Sequence, residues 1–145
     1  MYRYLLTFRN KQVASLFDES LFVEAYLYLF QVRYGQNLQV LMQLEEAHLH
    51  KRIPPLSLQL LVENAVKHNS ISTSEPLSIK IYISEQQFLV IENNRNPKIT
   101  PEESTGLGLQ NIAQRYELLG LPDAVAVHQT AHVFQVTIPL IEDEN

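Results

Sequence analysis

Residues 77–84 alternate without a break: Leu77, Ile79, Ile81 and Ile83 fall on one side of an extended backbone, Ser78, Lys80, Tyr82 and Ser84 on the other. Such a period of two predicts a β-strand with one face in a core and one in water. A lone strand leaves its N–H and C=O groups unpaired, so this one demands neighbours. Glu85-Gln86 is a plausible tight turn, and residues 88–91 return as a second strand. The rest of the chain must then cover the isoleucine face.

Three segments suit that task. Ser15-Leu16-Phe17-Asp18 fits a capping box, a hydroxyl followed three residues later by an acid, and predicts a helix ending near Gly35. Leu21, Ala25 and Leu29 form one stripe on it, and Phe22, Tyr26 and Phe30 form another about 100° around the axis. A helix apolar on two sides packs against two things, here its own sheet and an upstream helix. Residues 36–44 read as a strand and 45–51 as a polar loop. Pro54-Pro55 suits the first turn of a second helix running to about Asn69. Its core face is Leu58, Leu61, Val62, Ala65 and Val66, spaced i, i+3, i+4, i+7 and i+8. Residues 93–105 are polar, contain Pro97 and Pro101, and read as a loop. Gly106-Leu107-Gly108-Leu109 opens a third helix whose apolar face is Leu109, Ile112, Ala113 and Tyr116, ended by Gly120 and Pro122. Residues 125–129 and 133–140 make a closing hairpin before an acidic tail. The order helix, strand, helix, two strands, helix, two strands predicts an α+β fold. It is a two-layer α/β sandwich whose mixed, mostly antiparallel sheet is covered on one face by helices.

Composition narrows the chemistry. The chain has 145 residues, 46% of them apolar and 19% charged, which is the make-up of one globular domain. Its formal charge of -5 argues against direct nucleic-acid binding and against an anionic membrane surface. With no cysteine there is no disulfide, no thiolate metal site and no cysteine nucleophile, and the five histidines show no metal-binding spacing. No apolar run reaches the ~18 residues of a membrane span, and the start lacks a signal-peptide pattern. These features lead us to expect a soluble intracellular domain.

Two places carry chemistry. On the second helix, Glu63, Asn64, Lys67 and His68 project away from the core face. A carboxylate, an amide and an ammonium on one wall suit a metal-bound polyphosphate, since magnesium keeps several waters and needs few protein oxygens. An ordinary amphipathic helix with a solvated face has the same pattern. At Thr105-Gly106-Leu107-Gly108-Leu109, two glycines at a loop-to-helix junction allow close approach of a ligand, and the free N–H groups favour an anion. Taken alone, that junction reads more readily as a flexible helix start.

Pro55-x-x-x-Gln59-x-Leu61-Val62-Glu63-Asn64-Ala65-Val66-Lys67-His68-Asn69 resembles the N box of sensor histidine kinases of the LytS type. About forty residues later, the run from Ser104-Thr105-Gly106-Leu107-Gly108-Leu109 to Leu119-Gly120 resembles that branch's last glycine box and the helix after it. Arg3-Tyr4-Leu5-Leu6 and Tyr26-Leu27-x-Leu29-x-x-x-Arg33-Tyr34-Gly35 resemble it too. The resemblance implies the ATP-binding fold shared with DNA gyrase, Hsp90 and MutL (the Bergerat fold), with ATP and Mg2+ as cofactors. It implies that Asn64 holds the metal and Lys67 meets phosphate, with Glu63 ordering a water or polarising the reaction. His68, Asn93, Gly106, Leu107, Gly108 and Leu109 complete the nucleotide site, and residues 94–105 form its lid.

The departures are equally specific. The family's other glycine box reads Asp-x-Gly-x-Gly, its Asp accepting a hydrogen bond from the adenine amino group. Here Asn93 stands at the Asp position, and Arg95 and Pro97 replace both glycines. An amide oxygen accepts the same bond without charge assistance, which predicts weaker binding. Leu60 stands where gyrase-like members carry a catalytic Glu, which predicts poor attack by water.

The family's phosphoacceptor is a His in a helical hairpin, and none of His48, His50, His68, His128 and His132 has such a setting. Residues 1–12 resemble the tail of that hairpin and 13–145 the catalytic domain, as though the chain began just after its acceptor. The implied protein is a bacterial two-component histidine kinase, a transferase acting in a phosphorelay. Its catalytic domain is cytoplasmic and its parent is a homodimer in the inner membrane. Its partners are the upstream phosphoacceptor and dimerisation domain and a response regulator, of LytTR type by resemblance. The alternative is a pseudokinase of the same fold that serves as an interaction module.

Overall fold

The structure is a computed structural model that describes residues 13–98 and 107–142. A short strand β1 (Ala14–Ser15) leads into α1 (Leu16–Tyr34). Ser15 caps that helix, its Oγ accepting the Asp18 N–H at 3.1 Å. A 3-10 turn (Gly35–Asn37) passes into β2 (Leu38–Gln43), and a second (Glu46–His48) precedes β3 (Arg52–Ile53). Then follow α2 (Ser57–Lys67), β4 (Leu77–Ile83), β5 (Phe88–Asn94), α3 (Leu107–Leu118), β6 (Ala126–Gln129) and β7 (Val133–Pro139).

The main sheet has the order β2-β4-β5-β7-β6. Only the β2–β4 pair is parallel. β1 and β3 form a separate antiparallel pair, Ala14 opposite Ile53. The register puts Ile81, Ile91 and Val136 side by side, and all three are buried. The helices cover that face with Leu16, Val23 and Leu27 from α1, five apolar residues from α2, and Ile112 and Tyr116 from α3. Lys80, on the other face, is exposed. This is the expected sandwich, with the main elements in the predicted order and the short β1–β3 pair as an addition the sequence did not announce.

Several details depart from expectation. On α1 the buried residues are Leu16, Glu19, Ser20, Val23 and Leu27, none of them from a predicted stripe, while Phe30 of the second stripe packs half-buried against the core. Leu21 and Leu29 are 50% and 67% exposed, beside Phe17, Tyr28 and Val32. The helix is apolar almost all round, so periodicity could not pick its buried side. Pro54 and Pro55 lie before α2 rather than in its first turn; Leu56, at φ 66°, separates them from it. The loop expected from Asn93 starts later, because Asn93 and Asn94 continue β5 opposite Phe134 and Val133. Asn94 also belongs to the expected lid and is strand instead, while residues 99–105 of that lid and residues 1–12 lie outside the described residues. The hairpin turn lacks glycine, and Gln87 takes the left-handed conformation at φ 69°.

Candidate functional site

α2 is amphipathic in the predicted sense. Leu58, Leu61, Val62, Ala65 and Val66 are all at most 6% exposed, so its other face has to point out of the core. That face looks into a cavity of about 440 Å³ lined by Leu60, Glu63, Asn64, Lys67 and His68 among others. Asn64 and Lys67 are one turn apart. Neither makes a side-chain hydrogen bond or ion pair among the described residues. The opposite wall is the first turn of α3, through Gly108 and Leu109. The end of the sheet closes the cavity with Asn93, Arg95, Pro97, Gln129 and Phe134.

Asn93 is buried, and its Nδ2 donates to the Asn94 carbonyl at 2.7 Å. That bond fixes the amide with its oxygen as the group left for a ligand, and the oxygen takes no hydrogen bond among the described residues. Arg95 does not leave the segment loose. The Arg95 N–H donates to the His132 carbonyl at 2.9 Å and its Nη1 to the Thr130 carbonyl at 2.8 Å. Asparagines tie down the other side. Asn94 Oδ1 accepts the Ser78 N–H at 2.6 Å, and Asn96 Nδ2 donates to the Pro76 carbonyl at 2.9 Å. Asn69, buried at the end of α2, joins that helix to the segment through the Ala65 carbonyl and the Asn96 N–H, both at 2.7 Å.

Glu63 faces both the cavity and α1. It shares a hydrogen bond with the Tyr26 hydroxyl, which also bonds Gln59. Burial, then the Glu63 charge, pushes the Tyr26 hydroxyl up to about 12, so Tyr26 stays a neutral hydrogen-bond partner at neutral pH.

Of the residues singled out in the sequence, Glu63, Asn64, Lys67, His68, Asn93, Gly108 and Leu109 share this one cavity. Gly106 lies outside the described residues, and Leu107 is described only as the first residue of α3. Leu60 also lines the cavity, on the same helix face as Asn64. Sequence reasoning missed Asn69 and Asn96 as structural ties and Phe134 and Gln129 as lining residues. The triple Asn93, Asn94, Asn96 was the available signal, since asparagine side chains hydrogen-bond nearby backbone. None of the five histidines lies within an α-helix. Among the described residues no group of three or more His, Asp or Glu is arranged to hold a metal by itself.

Helices over one face of a mixed sheet, with a cavity between two helices and a strand end, define a class. The catalytic domain of the histidine kinase ThkA has the same fold, with a TM-score of 0.56 over 90% of this chain and 99% of that domain at 18% identity. The cytoplasmic segment of the histidine kinase QseC gives 0.55 over 92% of this chain and 81% of that segment at 16% identity. Sequence relatives are more specific. Sensor protein LytS of Enterococcus faecalis is 31% identical over 108 residues, 64% of this chain and 18% of that protein. Sensor histidine kinase BtsS of Escherichia coli is 30% identical over 125 residues, 78% of this chain and 22% of that protein. No family model matches the chain. The chain spans about a fifth of the length of these two relatives. It has the histidine-kinase catalytic-domain fold, and its sequence is similar to part of the LytS and BtsS sensor kinases.

Proposed function

We propose that this domain binds Mg–ATP in the α2–α3 cavity and presents the γ-phosphate to a histidine outside it. The observation that carries this reading is the meeting of Asn64, Lys67, Asn93 and Gly108 around one cavity of about 440 Å³, of a size to hold a nucleotide. Asn93 Oδ1 would accept from the adenine amino group. Lys67 and the free N–H groups at the start of α3 would neutralise and orient phosphate oxygens. Asn64 Oδ1 would hold Mg2+, which needs only one or two protein oxygens when phosphates and water supply the rest. The cation's contribution is charge neutralisation on the transferring phosphoryl group. Glu63, held by Tyr26, would order a water or polarise the site. Leu60 offers no base to activate water, which suits a kinase that must not spend ATP on hydrolysis.

By the same reading the phosphoacceptor is a His on a helical hairpin of a homodimeric parent, and the next partner is a response regulator of LytTR type. The parent would sit in the bacterial inner membrane with this domain in the cytoplasm; among the described residues no helix is long and apolar enough to cross a membrane. Calorimetric titration with a non-hydrolysable ATP analogue, with and without Mg2+, tests the reading. Ligand at 100 times its dissociation constant should add about 2.7 kcal/mol of stability. Incubation of the chain alone with γ-labelled ATP should give no acid-labile phosphohistidine.

The second reading is a pseudokinase that keeps the fold as an interaction module. The neutral Asn93 and the tightly tied strand end after it favour that alternative. Absence of any thermal shift at millimolar Mg–nucleotide would favour it over the first reading.

A further inference from the structure

At the end of α2 remote from the cavity, a second polar cluster lies inside the protein. Glu19 of α1 is 1% exposed. Its Oε2 accepts the Leu56 N–H at 3.1 Å and its Oε1 the Leu58 N–H at 3.4 Å. These are N–H groups at a helix start, which no earlier turn can satisfy. Leu56 has no capping side chain and stands at φ 66°, a conformation rare for leucine. The carboxylate from another helix therefore does the work a local cap would do. From α3, Arg115 donates Nη1 to the Pro55 carbonyl, and its charge acts on the Glu19 carboxyl. Its neighbour Tyr116 is fully buried and donates to the Pro139 carbonyl at 2.7 Å. All three helices thus meet on residues 55–58.

α2 runs from this cluster to the cavity, and α3 runs from the cavity back to the cluster. α2 has 11 residues and Asn64 lies two turns from its start. On α3, Gly108 at the cavity lies two turns before Arg115. We propose that Glu19 and Arg115 are positioning residues for nucleotide binding: by clamping residues 55–58 between α1 and α3 they set where Asn64 and Lys67 stand relative to Gly108. This rests on the reading that the cavity takes Mg–ATP. The helices act as stiff levers, so slack at the clamp becomes misplacement at the phosphates. Neither Glu19 nor Arg115 lines the cavity.

The test measures affinity and backbone protection separately. Wild type, E19Q, R115A, R115K and E19Q/R115A are titrated calorimetrically with Mg2+ and a non-hydrolysable ATP analogue, at a temperature where circular dichroism shows each one folded. Hydrogen exchange over residues 57–68 is followed without nucleotide. E19Q and R115A should each weaken binding about fivefold and speed exchange at residues 64–68, and the double variant should lose no more than the worse single. R115K, which keeps a donor and the charge, should bind within about twofold of wild type. Folded E19Q and R115A with unchanged affinity and unchanged exchange overturn the clamp, as does a fall in melting temperature alone. Should R115A fail to fold, E19Q against R115K decides. Should wild type bind no analogue, the nucleotide reading fails, and the exchange rates alone decide the clamp.

Discussion

Asn69 Oδ1 accepts the backbone N–H of Asn96 at 2.7 Å, while the same side chain donates to the Ala65 carbonyl at 2.7 Å. One amide thus rivets the last turn of α2 to the strand end on the opposite side of the cavity. The Asn69–Pro97 bridge and the Ser70 N–H to Asn96 carbonyl bond, also 2.7 Å, continue the seam.

Asn69→Ala leaves the Asn96 N–H without its partner in a half-buried place. Removing one partner of a buried hydrogen bond costs about 1–3 kcal/mol. Urea denaturation should show that loss, and calorimetry should show weaker nucleotide binding, because the two walls of the cavity are no longer held together. Unchanged stability would mean the amide bonds contribute nothing net.

Asn93→Asp should tighten ATP binding several-fold, since a carboxylate accepts a stronger bond than an amide oxygen. It should also lower stability by about 1 kcal/mol, because the donor to the Asn94 carbonyl is lost. Paired calorimetry and thermal melts read both effects. Weaker ATP binding in the folded variant would place the adenine contact elsewhere.

Asn64→Ala should keep the fold, as the side chain makes no hydrogen bond among the described residues. The Mg2+-dependent part of the affinity should vanish, leaving equal binding with and without the cation. A variant that still responds to Mg2+ would move the metal to another group.

Burial pushes the Glu19 carboxyl up to about 7, against the opposing pull of the Leu56 and Leu58 N–H groups and the Arg115 charge. Tyr116 also faces it from α3. The folded state therefore keeps a proton that the unfolded chain releases near pH 4.5. The group's contribution is complete below that value and disappears as pH rises through about 7. The stability of wild type minus that of E19Q, from urea melts, should fall by about 3 kcal/mol between pH 5 and pH 8. A flat difference would show the carboxyl titrating at its ordinary value.

The fold was legible wherever apolar spacing had a single solution. Leu77, Ile79 and Ile81 could only line a core, and Leu58 to Val66 could only form a helix face, and both do. Most of the candidate site was legible for the same reason: a helix that buries Leu61, Ala65 and Val66 must show Asn64 and Lys67 to something else. The inner side of α1 was not legible, because Phe17, Leu21, Tyr28 and Val32 are as apolar as the residues it buries. Their exposure is set by which neighbour is present, which local sequence does not encode. The end of β5 was misjudged since polar residues read as loop. Asn93 and Asn94 are held in the strand by pairing with Phe134 and Val133, partners forty residues away. Glu19 lies in the first turn of α1, and only the fold shows that it serves another helix.

The ties around Arg95 also constrain how this sequence can change. A glycine at that position would surrender the anchor to Thr130, yet Asn94 and Asn96 would still hold the backbone on either side. Pliancy would not return until several positions had changed together, and each step alone would leave a weaker protein. The segment is thereby locked in by mutual dependence, and drift toward the glycine-rich form faces a barrier made of its own hydrogen bonds.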